Sequence, residues 1–424
     1  MMRVKRCVLN FWIDILLNIP NIGEHSLVVG EISWHVAKEF FKDDEKAYLA
    51  KAGGILHDIG YIIPRFSPKL YEVQEVYSIL DYFQNSKELD KIVHTNVGGF
   101  ILSNFIGLSG FADIAQFHHT PAQDLDPHEL SHIMANIVGL ADLVSIYVEK
   151  ADPSVAREVA LDVIDSNKDN FFPEVYEAAK VSLSKEIVWW IIQDPETSYL
   201  SYEIGDTSPL KVEDLEDMGH FTSYIVDSKS IFTRKHSEGV AILAREMAKE
   251  LLLPPETQEK IYVAGLFHDI GKMAIDTSIL EKPGPLTKKE YWMMKKHVFY
   301  TRKFLRHFVE AGQEWPAWAW QHHERLDGSG YPEKLTADDM SIESRILQVA
   351  DVFTAFTEDR PYRESMKYED ALSIIEKEVE KGRMDFDVFK SLENLVKNGY
   401  TLPEKTMVEF IVESVKFLVE ALEG

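Results

Sequence analysis

Cysteine is almost missing from this 424-residue chain: Cys7 stands alone. One thiol cannot build a disulfide framework or a thiolate metal site, so any metal must rest on imidazole and carboxylate. Long apolar runs are missing too. The stretch from Val8 to Ile19 is broken by Asn10, Asp14 and Asn18. It falls short of the roughly 20 apolar residues that span a bilayer and lacks a signal-peptide cleavage pattern. It reads as a first core helix, and the chain as a soluble cytoplasmic protein with no membrane partner. Basic residues are outnumbered, 45 Lys and Arg against 70 Asp and Glu, for a formal charge of −25. Such a polyanion repels nucleic-acid polymers. A small phosphate ligand is still compatible, provided divalent metals or a few local cations receive it. Strand-like alternation is scarce as well. Lys235 to Leu252, Thr287 to Val309 and Tyr368 to Val379 instead place apolar residues at i, i+3/4 and i+7, the helical period.

What the chain has is histidine in a repeated order. Ten of its fifteen histidines fall into two copies of one pattern. The first copy is His25, His57-Asp58, His94, His118-His119, Asp142; the second is His236, His268-Asp269, His297, His322-His323, Asp351. The step from the lone histidine to the His-Asp pair is 32 residues in both (57−25 and 268−236). Gly54-Ile55-Leu56-His57-Asp58-Ile59-Gly60 answers Gly265-Leu266-Phe267-His268-Asp269-Ile270-Gly271, and Asn170 to Tyr176 resembles Met384 to Phe389. A repeat of this length makes a duplicated domain. Between the copies, Asp194 to Asp217 holds two prolines, Gly205, eight acidic residues and one base, Lys211. It sets the boundary between residues 1–205 and 206–424, two all-α helical bundles.

The pairs carry a geometric message. Neighbours on a helix project about 100° apart, so His268 and Asp269 cannot easily serve one ion from one helical face. Either the pair sits at a helix end, which Gly271 favours, or its members reach different ions; His322-His323 poses the same question. Five imidazoles and two carboxylates exceed what one ion with an open position needs, but suit two. Two ions about 3.5–4 Å apart can generate a bridging hydroxide and clamp a phosphate for in-line attack. Mixed nitrogen and oxygen ligation fits Fe, Mn or Zn without choosing among them.

His268-Asp269-Ile270-Gly271-Lys272, followed by His322-His323-Glu324-Arg325-Leu326-Asp327-Gly328-Ser329-Gly330-Tyr331-Pro332, resembles the HD-GYP family of the HD phosphohydrolase superfamily. Lys282 to Thr287, Val349-Ala350-Asp351-Val352-Phe353 and Asp359-Arg360-Pro361-Tyr362-Arg363 extend the resemblance. It implies an all-helical metal-cluster domain that hydrolyses cyclic di-GMP, or a related cyclic dinucleotide, to linear pGpG or GMP. Carried over, it makes His236, His268, Asp269, His297, His322, His323 and Asp351 metal ligands, with Asp269 bridging. Lys272, Gly330, Tyr331, Arg360 and Arg363 become contacts of the scissile phosphate or its neighbours. Asp269 and Lys272 become the catalytic pair, and two divalent metals per site the cofactor: Fe or Mn first, with Zn or Ni also admissible.

Departures are local. A third-metal glutamate four residues before the first histidine is replaced by Phe232, which favours two metals. Val298 follows His297 where proline is usual, Thr301 stands where glycine is common, and Ile275-Asp276-Thr277 replaces Ile-Pro-Asp. The first half resembles the superfamily without these refinements. Its ligands would be His25, His57, Asp58, His94, His118, His119 and Asp142, yet Tyr61 holds the lysine position and no Gly-Tyr-Pro loop follows His119. That half is expected to bind metal without cleaving cyclic di-GMP, and to regulate or sense. A homodimer or a signalling-protein partner is compatible with such a role. Two other readings stay open: an HD enzyme of different chemistry (a nucleotide phosphohydrolase or diiron oxygenase) and a nucleotide-binding signalling scaffold. Lys272 and the Gly-Tyr-Pro loop weigh against the first; the complete ligand set weighs against the second for the C-terminal half, whereas Tyr61 favours it for the N-terminal half.

Overall fold

The computed structural model describes residues 5–19, 22–62, 87–104, 107–193, 206–208, 210–228, 236–282, 284–358 and 365–402. The described residues are all-α: eighteen α-helices joined by turns, with no strand among them and two isolated bridges, Lys5 with Asp206 and Asp327 with Thr336. Of the described residues, those up to Ser208 form one compact unit and those after it a second. Of the acidic stretch 194–217, residues 194–205 and 209 lie outside the described residues.

The first unit contains α1 (Arg6–Leu17), α2 (Gly23–Phe41), α3 (Asp44–Leu56), α4 (Lys87–Asn104), α5 (Ala112–Phe117), α6 (Leu130–Val148), α7 (Ala156–Ser166), α8 (Pro173–Leu183) and α9 (Glu186–Gln193). Helix α1 is the expected core helix, with Val8, Leu9, Phe11, Trp12, Ile15 and Leu16 buried. Helix α2 packs along α3, α6 and α8. Helix α6 is long and apolar enough to cross a membrane by composition, at a mean hydropathy of 1.4. It lies instead within the core of this unit, packed against α2, α3 and α5, and carries Asp142 inward. Lys5 caps the arrangement with an ion pair to Asp206 at 2.6 Å.

The second unit repeats the plan with α10 (Val212–Ser228), α11 (His236–Glu250), α12 (Pro255–Phe267), α13 (Thr277–Leu280), α14 (Lys288–Glu310), α15 (Trp315–Trp320), α16 (Ile342–Thr357), α17 (Tyr368–Glu380) and α18 (Phe386–Lys397). Helix α14 starts on a capping box in which Thr287 and Glu290 satisfy each other's backbone N–H groups. An aromatic cluster anchors the helix ends that carry the ligands. Phe267, the residue before His268, lies 5.2 Å from Trp315 of α15, which is 5.5 Å from Phe308 of α14 (ring centroids). All three are fully buried, each worth about 1.5–3 kcal/mol in removed apolar surface.

In both units the chain after the His-Asp pair turns through a short 3₁₀ segment, Ile59–Ile62 or Ile270–Ala274, that lies against the next histidine helix. Contact there is too close for any side chain. A Cβ on Gly271 would stand 1.9 Å from the His297 carbonyl oxygen, and one on Gly60 would stand 2.0 Å from that of His94. Thr301, one turn beyond His297, locks the junction: its hydroxyl accepts from Gly271 N–H at 3.1 Å and donates to the His268 carbonyl at 3.0 Å. The threonine that departs from the family's glycine is thus a structural clamp.

Gly271→Ala is therefore expected to destabilise the second unit by at least about 2 kcal/mol, because backbone must move to make room, and Gly60→Ala the first unit similarly. Urea unfolding in the presence of chelator checks this without interference from metal. An unchanged midpoint for either variant would contradict the close approach.

Candidate metal centres

The second unit's centre is built on helix ends. His268 directly follows α12, and His322 and His323 follow α15. Each has free backbone carbonyls one turn back. His268 Nδ1 donates to the Gly265 carbonyl at 2.7 Å, His322 Nδ1 to Ala319 at 2.7 Å and, within α14, His297 Nδ1 to Met294 at 2.7 Å. One N–H bond fixes each tautomer and leaves Nε2 as a lone pair pointing inward. Those three Nε2 atoms are buried with no hydrogen-bond partner. Buried orphan acceptors are costly, and converging imidazole lone pairs are what a divalent transition metal satisfies.

The carboxylates organise them into two sets. Asp269 Oδ2 faces His268 at 3.3 Å and His236 at 3.8 Å, whereas its Oδ1 faces His297 at 3.5 Å and His322 at 4.0 Å. Asp351 Oδ1 lies 3.1 Å from His236 Nε2 and 4.0 Å from His268 Nε2. Ligand atoms of His236, His268 and Asp351 lie within 4.8 Å of one another, as do those of His297, His322 and His323. Asp269 stands between the two groups with one oxygen toward each. The adjacent-residue question is answered at the helix end, where the chain has left the α-helical path.

Electrostatics favour the protonation states that ligation needs. Burial alone would raise the Asp269 carboxyl, but Lys272 and His268 outweigh it and hold it well below the usual carboxylate range. Burial is likewise outweighed at Asp351 by His236 and its neighbours. His322 is pushed down to about 3 by burial and by His268, and His323 falls well below its ordinary value. The result is ionised carboxylates beside neutral imidazoles at His297, His322 and His323, the state that metal binding requires. Lys272 Nζ is ion-paired to Asp269 Oδ2.

The Gly-Tyr-Pro loop closes one side. Glu324 is buried and accepts from the backbone N–H groups of Glu333 at 2.7 Å and Leu335 at 3.0 Å, drawing the loop back on itself. Gly328 adopts φ +75°, and a Cβ on Gly330 would lie 2.4 Å from Arg325 N. Tyr331 N–H donates to the His323 carbonyl at 3.2 Å, and the tyrosine ring stacks on His323 with centroids 4.9 Å apart. Burial pushes the Tyr331 phenol far up, so it stays a donor. Arg360 and Arg363, and the Phe232 position, lie outside the described residues.

The first unit brings its seven residues together in the same way. Asp58 Oδ2 faces His57 at 3.4 Å and His25 at 3.8 Å, and Oδ1 faces His94 at 3.4 Å. Asp142 Oδ1 is 3.2 Å from His25 Nε2, and its Oδ2 is 3.7 Å from His119. His57 and His118 donate Nδ1–H to the Gly54 and Ala115 carbonyls at 2.7 and 2.8 Å. At the lysine position, Tyr61 lays its ring on His94, centroids 4.5 Å apart and planes 13° off parallel.

One pair of residues goes beyond the ligand pattern. Glu358 accepts from His236 Nδ1 at 3.1 Å, and Glu149 from His25 Nδ1 at 3.0 Å. Both stand seven residues after the second aspartate (358−351 and 149−142) and both cap the helix that carries it. Against the cost of burial, Glu358 and Asp351 raise His236 to about 10, and Asp142 and Glu149 raise His25 likewise. A carboxylate behind a ligating imidazole orients the ring and strengthens it as a donor. The equal spacing is the signal that a fuller comparison of the two copies would reveal.

The family model described as the HD domain matches residues 221–388. A 3'3'-cGAMP-specific phosphodiesterase 1 of Vibrio cholerae serotype O1 is 32% identical over 382 residues, covering 86% of this chain and 85% of that protein. A cyclic di-GMP phosphodiesterase of Pseudomonas aeruginosa is 36% identical over 141 residues, covering 33% of this chain and 34% of its own. A solved cyclic GMP-AMP specific phosphodiesterase of Vibrio cholerae aligns with a TM-score of 0.61 at 20% identity, over 94% of this chain and 100% of that one. At that identity the likeness concerns the fold.

Glu358→Gln is expected to weaken metal binding at the second unit by about 10–100-fold, read by metal competition with a chromophoric chelator. Unchanged affinity would reduce Glu358 to a helix cap.

Proposed function

The chain belongs to the HD-domain family of cyclic-dinucleotide phosphodiesterases, and from that premise we propose that its second half hydrolyses cyclic di-GMP at a binuclear metal centre. The observation that carries the reading is Asp269, whose two oxygens face separate histidine sets while Lys272 pairs with the same carboxylate. The donor set fits two divalent ions, Fe or Mn by preference, held by His236, His268 and Asp351 on one side and His297, His322 and His323 on the other. When bound, such ions supply Lewis acidity toward the phosphodiester and activate water. The chain's own groups do the rest. Lys272 holds a proton at Nζ and donates to a phosphate oxygen, stabilising charge as it develops. Tyr331 keeps its phenolic proton and orients the substrate from the His323 side, and the Gly330 turn lets the ring come that close. Arg360 and Arg363 join as phosphate contacts on the strength of the sequence motif. Products are pGpG or GMP, released in the cytoplasm.

A second substrate reading rests on one finding. The Vibrio cholerae relative that aligns along both halves is named for 3'3'-cGAMP, and that dinucleotide offers the same phosphodiester chemistry. For the first half we propose a regulatory metal centre on His25, His57, Asp58, His94, His118, His119 and Asp142. At the lysine position that centre presents the Tyr61 ring, stacked on His94, in place of the cation that a cut phosphate needs.

Incubating anaerobically prepared, Mn- or Fe-loaded protein with cyclic di-GMP and, separately, 3'3'-cGAMP, followed by chromatography, tests this. Asp269→Ala is expected to abolish product, and Asp58→Ala to retain most of it while losing about half the bound metal by elemental analysis. Equal loss of activity in both variants would overturn the division of labour. Intact dinucleotides despite full metal loading would overturn the substrate class.

A further inference from the structure

A cyclic dinucleotide carries two phosphodiester anions, and among the described residues the groups assigned so far, Lys272 and Tyr331, attend to the one being cut. On a chain of formal charge −25, the second anion needs a cation of its own nearby. Lys295 is such a cation. It lies on α14 two residues before His297, half-buried, with its Nζ 5.5 Å from the Tyr331 ring centroid and 5.2 Å from that of Tyr291. Because Tyr331 in turn stacks on His323, a continuous ladder runs outward from the metal ligands: His323, Tyr331, Lys295, Tyr291. Among the described residues no carboxylate lies within 4 Å of Lys295 Nζ, although acidic residues outnumber basic ones in the chain. Its neighbours on the helix are differently engaged: Lys296 lies over Trp292 and Tyr300, and Arg302 pairs with Glu333. An ammonium held by two π-faces keeps its charge and its donors for an incoming anion.

The first half supplies an internal contrast. Counted back from His94, the positions matching Lys295 and Tyr291 are Ile92 and Glu88, and the lysine position is Tyr61. The ligand pattern is repeated in full there, whereas neither position matched to Lys295 or Lys272 holds a base.

We infer that Lys295, positioned by Tyr291 and Tyr331, receives the second, uncut phosphate of the cyclic dinucleotide and so sets affinity for a two-phosphate substrate. This rests on the phosphodiesterase reading above. The test compares Lys295→Met and Lys295→Arg with wild type on a cyclic dinucleotide and on bis(p-nitrophenyl) phosphate, which has one phosphate only. Lys295→Met is expected to raise KM for the cyclic dinucleotide about tenfold, one charged hydrogen bond's worth, with kcat changed less than about twofold. Its kcat/KM on bis(p-nitrophenyl) phosphate should match wild type, and Lys295→Arg should restore most of the affinity. Unchanged KM in Lys295→Met overturns the proposal. Equal losses on both substrates also overturn it, since they mark Lys295 as a staple between helix and loop. If wild type cleaves bis(p-nitrophenyl) phosphate but no cyclic dinucleotide, the substrate reading itself has failed, and the role of Lys295 falls with it.

Discussion

Burying imidazoles is expensive unless both ring nitrogens find partners, and this chain meets that demand by splitting the ring's two ends between the backbone and the centre. In His57, His118, His268, His297 and His322, Nδ1–H is given to the carbonyl three residues earlier. Four of those five lie at helix ends, where such carbonyls have no helical partner. The helix terminus thus fixes the tautomer, the tautomer aims Nε2, and the aimed lone pairs define the centre. Bundle packing, the Gly60 and Gly271 contacts and the Trp315 cluster all serve to bring these helix ends to one point.

The two His-led carboxylate relays add a second layer. His236 and His25 are the ligand-pattern histidines that spend Nδ1 on a glutamate rather than on the backbone. Each sits in the first turn of its helix, where no carbonyl of that helix lies three residues back. The glutamate supplies from the end of another helix what the histidine's own helix cannot.

Much of this is legible in the chain because ligands must recur in order, and order survives as spacing. The 32-residue step, the His-Asp and His-His pairs and the helical period identify all fourteen converging residues and the fold class, and the family resemblance adds the Gly-Tyr-Pro loop. Other features are hidden for physical reasons. A glutamate at a helix C-terminus, such as Glu358, has the look of a solvated charge until packing brings it to His236. Lys295 sits among six other basic residues on α14, and only the fold singles out the one that meets Tyr331. Thr301 reads as a departure in sequence and as a clamp in three dimensions.

The way the histidines are held has a consequence for how a duplicated domain ages. Ligands that are tied to their own helices are maintained by folding itself, because losing one leaves buried carbonyls and carboxylates unmatched. Lysines at the rim are maintained only by the ligand they touch. After duplication, drift therefore strips the rim first and leaves the shell standing. A copy with Tyr61 beside an intact set of seven converging residues fits that order: folding holds the shell, whereas nothing in the fold holds the rim position.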